Sequence, residues 1–529
     1  MLIQPDSIIR LIRKCPLDNS YTHTLLFLSK IEQEEYFRTY FDGVTFNKQS
    51  YQRYDKGVLT IQTTADAIYD CNYLMFKNTA FGSKWFYAFI TSIEYVNNVT
   101  SRIYYEIDVM QTWNLDYELH NCFVEREHQV TDNIGDNLVP EKLETGEYVY
   151  KPAIYGENSA RVTPFKNYKI CIMATFDKEF NNVNGGYHGN VYSGLAFNYF
   201  DSAYDASIFL NLAATKTKTD GIVGVFMSPE KFYSTTTGSE LPTIDDGQFE
   251  YIKKNINDID GYEPHNKKLF TMPYNFILVT NHTGDYAKYG YEYFSANPNI
   301  VDNDHVVFTV AGSNGNIPNF GITPWLYKGL DQNYMERLVI HQTPMCSYNI
   351  ESFTRWVGET KYHGLPGAIN DIANIIAGAY TGNISAVTSG VSGVQNRLSN
   401  IAYHMALPPE ARTNVNADLL NINSNIFGFS IYYCTIRREF AEIIDGFFDR
   451  FGYAINRNKE PNIGYALKNG TNAQLRPYWN YIKTSDCDIT GGVPADALNK
   501  IMSIYNNGIT FWTKYVTIGD YSYDNKPRG

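Results

Sequence analysis

Nothing in this 529-residue sequence spells out a reaction. It has no HExxH, no GxxxxGK[ST] phosphate loop, no GxGxxG after a strand and no GxSxG elbow. Those are the local patterns that place zinc, nucleotides, dinucleotides or a serine nucleophile. The seven cysteines, Cys15, Cys71, Cys122, Cys171, Cys346, Cys434 and Cys487, form no CxxC and no regular spacing, so neither a zinc ribbon nor a disulfide framework is readable. They are expected to be reduced core thiols, as in a chain folded in a cytosol. Charged residues are scarce at 19%, with 44% hydrophobic, so large cores can form. The formal charge of −12 leaves no overall basic footprint for gripping nucleic acid, although an acidic wall suits a conduit through which DNA slides. Residues 1–16 lack a long apolar stretch with a small-residue cleavage site, so no export signal is expected.

What the chain does have is aromatic residues, with Tyr 44 and Phe 31, which favour strands and interfaces. Its length points to about two to four domains. The stretch 102–113 alternates, with Ile103, Tyr105, Ile107 and Val109 on one face and Arg102, Tyr104, Glu106 and Asp108 on the other. With the β-rich run 84–95 before it and turn residues at 96–101, a hairpin is predicted. From 131 to 352, apolar runs at 169–176, 221–227, 275–280 and 305–310 are broken by Asn, Gly, Pro and Asp, as in inserted β domains. No fixed repeat is present.

Near the end the period changes. Phe440, Ile443, Ile444, Phe447, Phe448 and Phe451 make one helical stripe ending at Gly452. A second helix is predicted from 494 to 507, with Leu498, Ile501, Met502 and Tyr505 inward and Gly508 as its stop. A strand follows at 509–516.

Candidate chemistry is thin. Asp486 and Asp488, and Asp302 and Asp304, pair carboxylates two residues apart, but neither pair has the glycine and downstream glutamate of a calcium loop, so both read as solvated turn acids. The ten histidines lack ligand spacing. No catalytic residue, metal ligand or cofactor is expected, and the chain is read as a non-enzyme.

One segment stands apart: between Asp371 and Arg397 no residue is charged. Ile372, Ile375, Ile376, Ala379, Tyr380, Ile384, Val387, Val391 and Val394 lie among Gly, Ala, Ser and Thr. The stretch is long enough to span a bilayer but more polar than an ordinary spanning helix. Small residues at short spacing suit close helix contact, and a Gly-rich connector or buried hairpin is the alternative.

Two places carry a family resemblance. The first runs through Tyr69–Asn78 and Gly82–Phe89, then Tyr105–Trp113 and Cys122–His128. The second is Phe447–Asn456, followed by Thr484–Cys487 and Asn506–Trp512. In order and wording these resemble the tail knob, or distal tube, proteins of the Picovirinae, the small short-tailed phages of Gram-positive bacteria. The matches cover about a third of the chain, at its two ends.

That resemblance implies a mainly β protein: a barrel or sandwich tube domain with a few short helices, inserted β-rich knob domains and a Gly/Ala-rich hydrophobic loop. The implied division is 1–130 and 425–529 for the two parts of the tube domain, 131–352 for the knob and 353–424 for the loop. The middle section matches nothing recognisable and is shorter than its counterpart. The implied role is a structural tail subunit whose ring, a hexamer, channels phage DNA beside an adjacent tail or lower collar protein. The loop would plug the lumen and then penetrate the host membrane, which makes the nine apolar residues above the membrane-active set. The rival reading is a receptor-binding adhesin recognising cell-wall glycan.

Overall fold

The computed structural model describes residues 6–49, 57–79, 82–155, 159–160, 168–183, 185–188, 191–216, 218, 221–229, 249–281, 286–295, 304–313, 319–328, 338–342, 348–349, 429–463 and 477–525. The chain forms two compact units. Unit 1 comprises Met1–Glu144, Tyr262–Leu269 and Glu439–Gly529, and unit 2 comprises Thr145–Gly261 and Phe270–Arg438.

Unit 1 begins with β1 (Ser7–Arg13), β2 (His23–Leu25), α1 (Lys30–Thr39), β3 (Gly43–Gln49), β4 (Val58–Ile61), β5 (Cys71–Lys77), β6 (Trp85–Asn97) and β7 (Thr100–Ile107). The helix α2 (Val109–Trp113) and strands β8 (Tyr117–Leu119) and β9 (Cys122–Glu127) follow. The C-terminal part adds α3 (Arg438–Phe451), β10 (Tyr453–Lys459), β11 (Trp479–Ser485), β12 (Ile489–Gly491), α4 (Ala495–Asn507) and β13 (Ile509–Trp512).

Six strands make one antiparallel sheet in the order β3-β1-β5-β6-β7-β4. A second sheet runs β2-β13-β11-β9-β10, joining strands from both ends of the sequence. In it β2 lies parallel to β13, with Thr24 opposite Phe511. One hydrophobic core serves both ends: Leu11, Phe27, Phe37, Tyr73 and Met75 share it with Trp479, Ile501, Tyr505 and Trp512, all fully or almost fully buried. Phe37 stacks on Tyr73 with ring centroids 5.5 Å apart, and Trp479 meets Trp512 at 5.3 Å.

The predicted hairpin is present. Asn97 pairs with Thr100 across a two-residue turn, and Ile103 and Tyr105 of β7 are buried. The alternation does not continue to Trp113, however. The strand stops at Ile107 because the Asp108 side chain accepts the Gln111 N–H at 3.1 Å and starts α2, whose five residues are all buried.

Both C-terminal helices form where their periodicity places them, with one correction. In α3 the buried face is Ala441, Ile444, Asp445 and Phe448, while Ile443 is 70% exposed. The face that packs is thus turned relative to the apolar stripe, and a carboxylate lies inside it. The final strand, β13, ends at Trp512 rather than at 516.

Unit 2 is also β-rich. One antiparallel sheet orders Tyr148–Pro152, Ser430–Ile436, Asn275–Thr280 and Tyr286–Gly290. Another includes Phe249–Lys253, His305–Ser313 and Asn319–Pro324, and the two share a core containing Ile277, Val279, Tyr289, Phe308, Ile322 and Ile431. Strands Ala196–Phe200, Tyr168–Ala174 and Ile222–Pro229 form a further sheet around Cys171, Met173, Tyr199 and Phe226. The six described cysteines are free and buried.

Gly452 ends α3 in the left-handed region at φ 63, and a Cβ there would run into the backbone of Glu127 and His128. Gly446, inside the same helix, has open space around it. Gly452→Ala should therefore cost about 2 kcal/mol or more, through strain and steric overlap. Gly446→Ala should add about 0.5–1 kcal/mol of helix propensity. Chemical denaturation of the two variants measures both signs.

Candidate functional site

Nearly all the residues singled out from sequence for a site lie elsewhere than in a described pocket. The segment holding Ile372, Ile375, Ile376, Ala379, Tyr380, Ile384, Val387, Val391 and Val394 is outside the described residues, as is Asp302. Asp304, Asp486 and Asp488 are exposed. No helix among the described residues is long and apolar enough to cross a membrane.

The groups that unit 1 does bring together are ones the sequence did not mark. Asp445, fully buried on α3, accepts four hydrogen bonds from the segment 262–269. Oδ2 takes the Tyr262 hydroxyl at 2.8 Å and the His265 N–H at 2.7 Å, and Oδ1 takes the Asn266 N–H at 3.0 Å and its Nδ2 at 2.8 Å. One turn on, Asp449 accepts from Asn266 Nδ2 at 2.7 Å and faces His265 Nδ1 at 3.1 Å. Burial, and then the neighbouring Asp445, push the Asp449 carboxyl up.

His265, Asp445 and Asp449 stand close enough together to hold a cation. Both Asp445 oxygens already have two donors each, however, so the cluster acts as a tether that fastens 262–269 to α3. Two further buried carboxylates extend it. Glu141 pairs with Lys268 at 2.9 Å and with Arg126, and Glu127 pairs with Lys459 and accepts the Asn462 N–H at 2.9 Å. Leaving one such partner out strands a buried charge, which costs far more than the pair contributes.

Beside the tether, His128 accepts the Tyr481 N–H on Nδ1 at 2.9 Å, and its Nε2 lies 3.0 Å from the Asp449 carbonyl. That leaves the neutral ring with its proton on Nε2. Burial pulls its pKa down to about 4.

A second feature lies at the surface. Proximal β6 is buried from Phe86 to Phe89, but beyond residue 90 every position to the turn except the half-buried Ile93 is exposed. The distal part of β6 and the turn therefore meet solvent, with Tyr95 58%, Val96 41% and Val99 68% exposed, while Ser101 and Ile103 of β7 stay buried. Glu94 holds the hairpin's two strands, 3.0 Å from Arg102 and accepting the Tyr104 hydroxyl at 2.8 Å. Apolar side chains on an uncovered hairpin are the signature of a contact surface.

Comparison with known proteins agrees with a tail role. Residues 240–526, more than half the chain, match the model for the C-terminal domain of the tail knob protein gp9 of Bacillus phage phi29. The chain belongs to the phage tail knob protein family. Residues 5–118 also match the caudoviral major tail protein N-terminus. The tail knob proteins gp9 of Bacillus phages PZA and phi29 are each 23% identical, over 98% of this chain and 98% of theirs. The tail knob protein gp12 of bacteriophage C1 shares the fold, with a TM-score of 0.55 and 14% identity over 96% of this chain and 97% of that one. This tail knob family member is a structural component of the virion tail, not an enzyme.

Only one signal could have exposed the tether: an acidic residue, Asp445, set between Ile444 and Phe448 on an apolar helix face. Its partners come from about 180 positions away, and no local pattern reports them.

Two outcomes test the tether. Asp445→Ala leaves four donors without an acceptor and should cost on the order of 3 kcal/mol, with faster amide exchange at His265 and Asn266. His128 works through its depressed pKa: as pH falls from about 6.5 toward about 4, the unfolded chain takes up a proton that the folded chain refuses, so stability is lost across that window. His128→Gln should reduce the loss between pH 7 and 4.5 by about 2–3 kcal/mol, read from denaturation at the two pH values.

Proposed function

We propose that this chain is the ring-forming subunit of the tail tube and knob, assembling as a hexamer through unit 1 into a channel for the phage genome. The observation that carries the reading is the β6–β7 hairpin, whose β6 half beyond residue 90 and turn carry apolar side chains exposed among the described residues. The partner that suits it is a second copy of the chain, because a closed ring repeats one interface and leaves no hairpin uncovered. Among the described residues, β3 and β4 are the edge strands of the same sheet and could serve the same purpose.

The mechanism is passive. With a formal charge of −12 the chain has no overall excess of cations to hold phosphates in the channel, so DNA can slide. Residues 353–424 form the hydrophobic loop of this proposal, with Ile372, Ile375, Ile376, Ala379, Tyr380, Ile384, Val387, Val391 and Val394 as its apolar positions. Six copies plug the lumen before delivery and enter the host membrane during it. There Ile and Val face lipid while Ser, Thr and Asn line water. The remaining partner is an adjacent tail or lower collar protein, and residues 131–352 form the outer knob.

Two measurements test this. The double variant Tyr95→Asp, Val99→Asp should sediment as a monomer with an unchanged melting temperature, while the unaltered protein forms rings; rings from the variant would overturn the interface. Dye release from liposomes should follow the intact protein and vanish on deletion of residues 364–409. Rings without leakage at any pH would reduce the loop to a plug.

A further inference from the structure

Two buried thiols have no part in this role, and the strand register sets their stretches of chain side by side. Cys122 opens β9, and Cys487 lies in the turn between β11 and β12. The two ladders here run in one register: Phe123 faces Ser485 in β9–β11, Leu119 faces Ile489 in β8–β12, and the His120 N–H reaches the Asp488 carbonyl at 3.0 Å between them. This brings residues 121–122 across from 486–487. Asp486 adopts φ 54, and while Asp486 and Asp488 face solvent, Cys487 turns inward. Cys122 and Cys487 are 5% and 6% exposed, with Val124 and Ile455 packed around Cys122.

We propose that Cys122 and Cys487 are a redox pair that oxidises to an intramolecular disulfide once the assembled tail has left the reducing cell. The oxidant is hydrogen peroxide, the smallest of the hydroperoxides. The Cys122 sulfur attacks the peroxide oxygen, the O–O bond breaks, and a sulfenic acid and one water form. The Cys487 sulfur then displaces that oxygen: the S–S bond forms, the S–O bond breaks and a second water leaves. Each sulfur gives up one electron, and the two thiol protons end in water.

Burial pushes both thiols up, Cys487 to about 12, so Cys122 is taken as the attacking sulfur and Cys487 as the one that resolves the intermediate. Burial of both groups makes the reaction slow and keeps the pair reduced in the cytosol. The bridge would tie residues 1–144 to 439–529 and enclose all of unit 2 in the closed loop. A bridge across so long a loop restricts the unfolded chain strongly.

The test uses the full-length protein treated with hydrogen peroxide, then denatured and weighed. The expected result is a loss of two hydrogen masses, a Cys122–Cys487 linked peptide after non-reducing digestion, and a melting temperature raised by several degrees and restored by a reductant. Cys487→Ser should instead accumulate a Cys122 sulfenic acid that a dione reagent traps. An unchanged mass, oxygen addition to wild type without a linked peptide, or a link between other cysteines would overturn the proposal.

Discussion

Asp445 sits where separated stretches of chain meet inside unit 1. The chain leaves this unit after Glu144, returns only for Tyr262–Leu269, and comes back for good at Glu439. An eight-residue visit cannot bury enough apolar surface to hold itself in place, so it must be held by directional bonds. A fully buried carboxylate supplies them, because in a low-dielectric surrounding its charge needs several donors and the folded segment 262–269 presents four. Lys268, paired with the equally buried Glu141, closes the same segment from its other end.

The aromatic core works alongside it. Trp479 and Trp512 from the C-terminal end lie in the same core as Phe27, Phe37 and Tyr73 from the N-terminal end, and β2 completes the C-terminal sheet beside β13. Neither end has a core of its own, so unit 1 folds as a joint product of both. A rigid core of this kind suits a structural tail component. The high tyrosine and phenylalanine content supplies it: rings fill the core at 5–6 Å separations, while Tyr95 is set outward.

Much of this architecture was legible without coordinates. The β6–β7 hairpin followed from alternation and turn residues, α3 and α4 from their periods and stopping glycines, and the middle strands from bounded apolar runs. The misreadings have physical causes. Asp108 looked like the outward half of an alternation, yet its side chain caps a buried helix. Ile443 belonged to the apolar stripe of α3, yet the packed face turned to admit Asp445.

By itself, the sequence determined the β-rich class, the positions of most local elements and the family likeness at the chain's two ends, because each of these rests on interactions among near neighbours. Only the tertiary structure decided which distant charges are buried together, that Lys268 meets Glu141, that His265 meets Asp449 and that Lys459 meets Glu127. Those pairings join residues 127 to 332 positions apart, and the free energy that selects them comes from burial and hydrogen-bond satisfaction in the folded whole, which no local spacing encodes.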